Sequence, residues 1–313
     1  MRIERRTAEG SGLRKFFDDQ LAHLGGLLAK WEAERNDKRR QLKEQKKLVE
    51  SVVEGSDTRI RAVSGYVDKL RTCSCTLYQY VCQLAEQLPP PVRLNEESFT
   101  DEPLINALFA NQQDITQLLS NDPALKDYLQ NNQQSYPITV FAFLTAVKHQ
   151  KTKLGMGIVN DKVVNDIIQE TVNFSEHCLN SPCASKELSL SALKQFIFNL
   201  IIHQAKLAMK NKKQESDQNG HHPSNARAQS LNNPEVYLEA LTNYLNTATK
   251  HLVLEKTHLR VSKLGIKLTP EDKQAANEFD LYQLCWDKQI RQVMARVYCP
   301  ILRKPDYTKQ MKF

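Results

Sequence analysis

The feature that most constrains this chain is a heptad repeat that runs through residues 42–88. Apolar side chains recur every seventh residue in two interleaved series, and eleven of the fourteen positions are apolar. These eleven are Leu42, Val49, Val53, Ile60, Val63, Val67, Leu70, Leu77, Val81, Leu84 and Leu88. Such spacing is typical of a coiled coil, and an unbroken helix of this length would extend about 70 Å. The repeat therefore predicts a long helical arm, with these residues as the seam that binds a partner.

The residue types in the two series indicate what that partner is. One series is mainly β-branched, as at Val53 and Ile60, whereas leucine dominates the other. This combination favours parallel two-stranded packing. We therefore expect the arm to bind a second copy of this chain, forming a homodimer, or another helical protein.

The tripeptide Gly55-Ser56-Asp57 leaves two alternatives to a continuous rod. Glycine commonly ends a helix and serine or aspartate commonly caps the next, so the arm would fold back as a hairpin at residues 54–57. In the other alternative, the arm packs against the protein's own core. The heptad phase continues across the tripeptide, which favours the rod. Three consecutive prolines, residues 89–91, then end the helix and predict a boundary between an arm, 1–91, and a body, 92–313.

A concentration of positive charge overlaps the start of the repeat, in residues 35–47. Its seven basic residues are Arg35, Lys38, Arg39, Arg40, Lys43, Lys46 and Lys47, against two acidic ones, Asp37 and Glu44. The simplest interpretation is a solvated helix face. The alternative is a contact with nucleic-acid phosphate or with an acidic partner. The net charge of +7 is spread over the whole chain, so it adds little to that alternative.

Beyond residue 91 the patterns predict a body that mixes helices and strands. Helical spacing predicts short helices within 92–150, one of them after Pro137, and apolar alternation predicts strands farther on. The expected segments are a hairpin at 153–174, a helix at 188–213, a mobile loop at 214–233, and a helix plus strands at 234–313, with strands at 252–268 and 279–299. The predicted fold class is α+β: a long N-terminal coiled-coil arm, then a domain of short helices and an antiparallel sheet of about five strands.

No motif in the chain predicts a reaction. There is no phosphate-binding loop, no nucleophile elbow, no His-Glu-x-x-His helix and no CxxC pair. The fragment Glu271-Asp272-Lys273 is better explained as a helix cap than as a nuclease motif. Cys73, Cys75 and Cys82 fall on more than one face of a helix, so they do not predict a zinc site. We therefore predict no catalytic residue, no metal and no cofactor.

The remaining indicators concern location and partners. No apolar run approaches the roughly 20 residues that span a bilayer, and the charged N-terminus lacks a signal core. Seven cysteines without a framework spacing fit a reducing compartment. We predict a cytoplasmic protein without a membrane partner.

Our hypothesis is a non-enzymatic scaffold or adaptor subunit that associates through its coiled coil. The alternative is a nucleic-acid-associated accessory subunit that contacts phosphate through residues 35–47.

Overall fold

The fold is an antiparallel sheet with helices packed against both of its faces. A computed structural model describes residues 37–132, 136–159, 162–218, 231–270, 272, 274–287 and 290–302. Within these residues the α+β class is confirmed, with five long strands and one short strand in a single sheet. Arg35 and residues 219–230 of the expected mobile loop lie outside the described residues. None of the described helices combines the length and the apolar character needed to cross a membrane.

The helix expected to run unbroken over residues 42–88 is interrupted at residues 56–65. Helix α1 covers 37–55, a 3-10 turn covers Thr58–Ala62, and helix α2 covers Tyr66–Glu86. The Tyr66 hydroxyl on α2 donates to Glu50 Oε1 on α1 at 2.6 Å. Along one continuous helix the two residues would be about 24 Å apart. A continuous rod is therefore not formed, and the chain turns after Gly55.

Side chains at this interruption replace the helical hydrogen bonds that are lost. The Ser56 hydroxyl donates to the Val52 carbonyl at 2.6 Å, and the Asp57 carboxylate accepts from the Arg59 backbone amide at 2.9 Å. Gly65 precedes α2 with φ +69°, a left-handed conformation that costs little only for glycine. The same small polar residues that left the hairpin alternative open therefore stabilise the turn.

The apolar side chains of α1 and α2 pack against two long helices from the second half of the chain. These are α7, Lys186–Gln218, and α8, Pro234–His251. Together they form the outer cluster, a buried apolar cluster that also includes Phe143, Leu284, Trp286 and Met294 of the sheet. Helix α8 begins as predicted, because the Asn233 side chain accepts from the Glu235 amide at 2.9 Å. The arm-like repeat is thus part of the protein's own core.

Short elements connect α2 to the main strands. They are β1 at Val92–Arg93, α3 at Ser98–Asp101, α4 at Pro103–Leu108, α5 at Gln112–Asn121 and α6 at Pro123–Asn131. Asp122 caps α6 by accepting from the Leu125 amide at 2.9 Å. Its second carboxylate oxygen accepts from the Leu179 amide, also at 2.9 Å. This one side chain therefore ties the short helices to the sheet.

Residues 138–150, which we expected to be helical, instead form the first half of a strand. Strand β2 covers Ile138–Val159 and pairs with β3, Lys162–Cys183, in an antiparallel hairpin much longer than the predicted 153–174. Val140, Ala142 and Leu144 are buried on one face. Phe143 and Thr145 are buried on the other. A strand covered on both faces loses its alternation, and its apolar run then resembles a buried helix.

The last three strands are β4 at Leu252–Val261, β5 at Asn277–Trp286 and β6 at Ile290–Ile301. The strands expected at 279–299 are present as β5 and β6, an antiparallel pair with Trp286 opposite Ile290. The strand order is β3-β2-β6-β5-β4, and β1 adds to β6. The expectation of about five antiparallel strands is therefore confirmed.

The two edges of the sheet are joined by residues 262–268. The Val172 amide on β3 donates to the Gly265 carbonyl at 2.7 Å, and the Leu268 amide donates to the Arg260 carbonyl on β4 at 2.8 Å. Gly265 has φ +76°, and a Cβ there would lie 2.8 Å from the Val172 carbonyl oxygen. The sheet therefore curls until its edge strands, β3 and β4, are bridged by this segment.

The curled sheet separates two apolar clusters. Its outer face belongs to the outer cluster with α1, α2, α7 and α8. Its inner face carries Val140, Leu144, Leu281 and Val297, which pack with α4–α6 in a second, inner cluster. The inner cluster includes Leu179 of β3 and Leu259 of β4, from the two opposite edges. Residues of both edges meet there, so this face is the concave one.

Candidate functional site

The coiled-coil seam expected to bind a partner is largely buried within the single chain. Nine of its eleven residues are buried, Val67 is half-buried against the outer cluster, and Leu42 is 53% exposed. The nine are Val49, Val53, Ile60, Val63, Leu70, Leu77, Val81, Leu84 and Leu88. Their apolar area is removed from water by α7 and α8. The role of the seam in binding a partner stays a prediction.

The predicted phosphate-contacting residues lie on the part of α1 that extends past the core. Lys38, Arg39, Arg40, Lys43, Lys46 and Lys47 are all exposed, and the first buried side chain of α1 is Val49. Within the described residues, none of these six cations has a carboxylate oxygen within 4.0 Å. Arg35 precedes the described residues. We refer to these six side chains as the basic stripe.

Most of the basic stripe lies on one side of α1. At 100° per residue, all of its members except Lys38 fall within an arc of about 120° around the helix. The buried Val49 and Val52 lie outside this arc, and the buried Val53 lies about 20° beyond Lys46, which forms one edge of the arc. The core therefore fixes which way the cations face, and they are presented together to solvent.

Two carboxylates farther along the same side of α1 share one cation, Arg61, from the turn that follows it. Arg61 Nη2 lies 2.9 Å from Glu50 Oε2 and 2.9 Å from Glu54 Oε1. The hydrogen bond from Tyr66, and then the contacts with Arg61, hold the pKa of Glu50 below its usual range. Both carboxylates are paired, so they offset the charge of the basic stripe less than free acids would.

A second group of charges lies on the inner face of the sheet, where the sequence predicted nothing. Lys148 follows Ala146 by two residues on β2, Arg291 precedes Val293 by two residues on β6, and Glu255 lies four residues before Leu259 on β4. The group comprises Lys148, Glu170, Glu255, Lys267 and Arg291, which we call the inner-face charge cluster. Lys148 went unnoticed because residues 138–150 were expected to be helical.

Two ion pairs join four members of this cluster. Lys267 Nζ donates to Glu170 Oε2 at 2.9 Å, and Gln150 Nε2 donates to the same oxygen at 3.1 Å. Arg291 Nη1 lies 3.4 Å from Glu255 Oε2. Lys148 has no ion pair within 4.0 Å and no side-chain hydrogen bond among the described residues. One cation of the cluster is therefore unmatched.

The surroundings of Lys148 disfavour its charge. Burial lowers the pKa of Lys148, and the like charges of Lys267 and Arg291 lower it further. Glu170 and Glu255 act in the opposite direction without cancelling this effect. On β5, burial raises the pKa of Cys285 to about 11, so its thiol stays protonated at neutral pH. The cluster thus offers positive charge and no reactive thiolate.

The described residues contain no arrangement suited to a metal. No group of three or more His, Cys, Asp or Glu side chains there could hold a metal ion. Cys73 is buried and Cys75 and Cys82 are half-buried as free thiols on α2. The chemistry this part of the protein offers is electrostatic, through the basic stripe and the inner-face charge cluster.

Comparison of the chain with models of protein families, with curated proteins and with solved structures finds no match.

Proposed function

We propose that this protein is a non-enzymatic, nucleic-acid-associated accessory subunit that contacts phosphate through the basic stripe. The observation that supports this most is the presentation of six exposed cations on one projecting helix, with no carboxylate within 4.0 Å among the described residues. Paired surface cations would have to exchange partners before binding phosphate. Cations without such partners are free to release counterions from a polyanion, which is the main source of affinity for a nucleic-acid backbone.

The direction of the stripe adds to this proposal. Five of its cations lie within about one third of the helix circumference, which suits a phosphate backbone passing along one side. Such contacts position a protein on a duplex and carry no sequence information. The proposed binding is therefore independent of base sequence and strongly dependent on salt.

A scaffold or adaptor role is the second candidate, and Leu42 is the observation that favours it. Leu42 is 53% exposed on the same projecting part of α1, where a helix from a second copy or from another protein would cover it. Association through the rest of the seam would require the outer cluster to open, because Val49, Val53 and Leu77 are at most 1% exposed. The basic stripe needs no such rearrangement, which is why we rank the phosphate contact first.

The test is fluorescence anisotropy of a labelled DNA duplex titrated with the full chain at several salt concentrations. The variant carries Lys38→Gln, Arg39→Gln, Arg40→Gln and Lys43→Gln. If all four cations contact phosphate, the slope of log affinity against log salt becomes shallower by up to about 3.6. Binding weakens most at low salt, where counterion release contributes most.

The matched control removes the same charge elsewhere, through Lys69→Gln, Lys210→Gln, Lys250→Gln and Lys263→Gln, all at exposed positions. This control keeps the wild-type slope. Equal slopes and affinities in the stripe variant and the wild type would exclude the proposed contact. Equal losses in both variants would also contradict it, because they would report net charge alone.

A further inference from the structure

We propose that the inner-face charge cluster is a binding site for a small anion bearing a carboxylate or phosphate group, held between Lys148 and Arg291. This site lies on β2 and β6, inside the curl of the sheet, and not on the projecting helix α1. It is independent of the proposed contact with nucleic acid.

The first argument is the geometry of the strands. Ala146 on β2 pairs with Val293 on β6, and two residues farther along each strand the same face carries Lys148 and Arg291. Side chains two apart on a strand share a face, so both cations lie at the end of the inner cluster. Glu255 on β4 joins them across the curl, as its electrostatic effect on Lys148 indicates.

The second argument is the charge balance of the cluster. Three cations surround two carboxylates, and both carboxylates have partners of their own: Glu170 with Lys267, and Glu255 with Arg291. The half-buried Lys148 has no ion-pair partner of its own among the described residues. A bound anion would supply the missing partner and offset the cost of holding this charge partly out of water.

The third argument is Gln283, a largely buried side chain on β5 whose amide makes no hydrogen bond within the described residues. Gln283 on β5 lies directly opposite both Glu255 and Val293 and is 2% exposed. Leu281 and Phe279 on the same strand belong to the inner cluster, so Gln283 faces inward as well. Its side-chain amide makes no hydrogen bond within the described residues. The amide atoms of Gln283 are not among the buried side-chain atoms without a partner, so they keep some contact with solvent, and an oxygen of a bound anion could accept from this amide.

The chemical class follows from these groups. Ammonium, guanidinium and amide donors lie on the same face of three adjacent strands, β2, β6 and β5, and the two nearby carboxylates disfavour a large polyanion by repulsion. The site therefore suits a compact anionic group and not a nucleic-acid backbone. Carboxylate and phosphate fit equally, and the experiment separates them.

The experiment is isothermal titration of the full chain with inorganic phosphate and, separately, with succinate, accompanied by thermal unfolding at each concentration. Saturable binding of either anion to the wild type, with a rise in unfolding temperature, is the expected result. The anion that saturates at the lower concentration identifies the class. If neither anion saturates the protein at concentrations up to about 10 mM, the proposal is overturned.

The key variant is Lys148→Met, with Lys151→Met as its control on the same strand. Loss of the Lys148 charge weakens binding by roughly tenfold or more. In the absence of anion, the unfolding temperature of Lys148→Met equals or exceeds that of the wild type, because the removed charge had no partner. Lys151 is exposed and outside the cluster, so Lys151→Met binds as the wild type does.

A second variant keeps the test decisive if Lys148→Met does not fold. Arg291 is exposed, so Arg291→Gln removes the other cation without disturbing the core. It weakens anion binding by a similar factor and leaves duplex binding by the basic stripe intact. Wild-type anion binding in the folded Lys148→Met and Arg291→Gln variants would refute the site.

Discussion

At the scale of single residues, Gly55 determines whether α1 can reach its neighbour α7. A Cβ at this position would lie 2.7 Å from Ile202 Cγ2. Ile202 is β-branched and 1% exposed, so it cannot rotate away at low cost. Helix propensity alone predicts that alanine at residue 55 is favourable by about 0.5–1 kcal/mol. The close contact predicts the opposite sign.

We therefore predict that Gly55→Ala lowers the free energy of unfolding by about 1–3 kcal/mol, the usual cost of overpacking a core. Urea unfolding of the full chain measures this change. In an Ile202→Ala background the same substitution costs almost nothing, because Cγ2 is gone. If Gly55→Ala stabilises the protein in both backgrounds, α1 does not pack on α7 at this distance.

Residue patterns also set the limit of what the sequence could predict about the candidate sites. The basic stripe was visible, because a run of cations on a helix needs no knowledge of tertiary structure. The place of Lys148 in the inner-face charge cluster was not visible. It depends on Arg291 and Glu255, which are more than a hundred residues away along the chain. Its signal is the apolar alternation of Val140, Ala142 and Leu144 continuing to a lysine, which appears only once the segment is recognised as a strand.

At the scale of elements, the sequence shows helix starts that depend on a single capping side chain. It does not show the structure of segments that depends on what buries them. Asn233 and Asp122 cap the helices that follow them, and such starts can be read locally because a cap acts within three residues. The unbroken helix expected over residues 42–88 and the helix expected over residues 138–150 were wrong for a shared reason. Apolar spacing reports that a segment is buried, and it does not report whether the cover is a partner, another helix or a second face of a sheet.

Asp122 links two such elements, and we predict that Asp122→Ala is costly for that reason. The substitution removes the cap of α6, about 1 kcal/mol, and leaves the buried Leu179 amide on β3 without its acceptor, a further 1–3 kcal/mol. Asn111→Ala is the control, since Asn111 caps α5 alone and lies at an exposed position, so it costs about 1 kcal/mol. Equal losses in urea unfolding would show that Asp122 does not couple α6 to β3.

At the scale of the whole molecule, the curled sheet is shared by two cores. The outer cluster joins α2, α7 and α8 to one face, and the inner cluster joins α4–α6 to the other. Residues on both sides of the predicted boundary at residue 91 therefore contribute to packing on one sheet. The division into an arm and a body stays a prediction, and unfolding experiments can decide it.

We predict that the protein unfolds in one cooperative transition that includes both clusters. Leu77→Ala in α2 and Leu125→Ala in α6 each remove a side chain that is at most 1% exposed, and each costs about 2–5 kcal/mol. Trp286 on β5 reports the outer cluster by fluorescence in a Trp31→Phe background, and far-ultraviolet circular dichroism reports all elements. Because the sheet is common to both clusters, each substitution shifts both signals by the same amount. If Leu77→Ala instead separates the two signals into two transitions, residues up to 91 unfold on their own and form an independent domain.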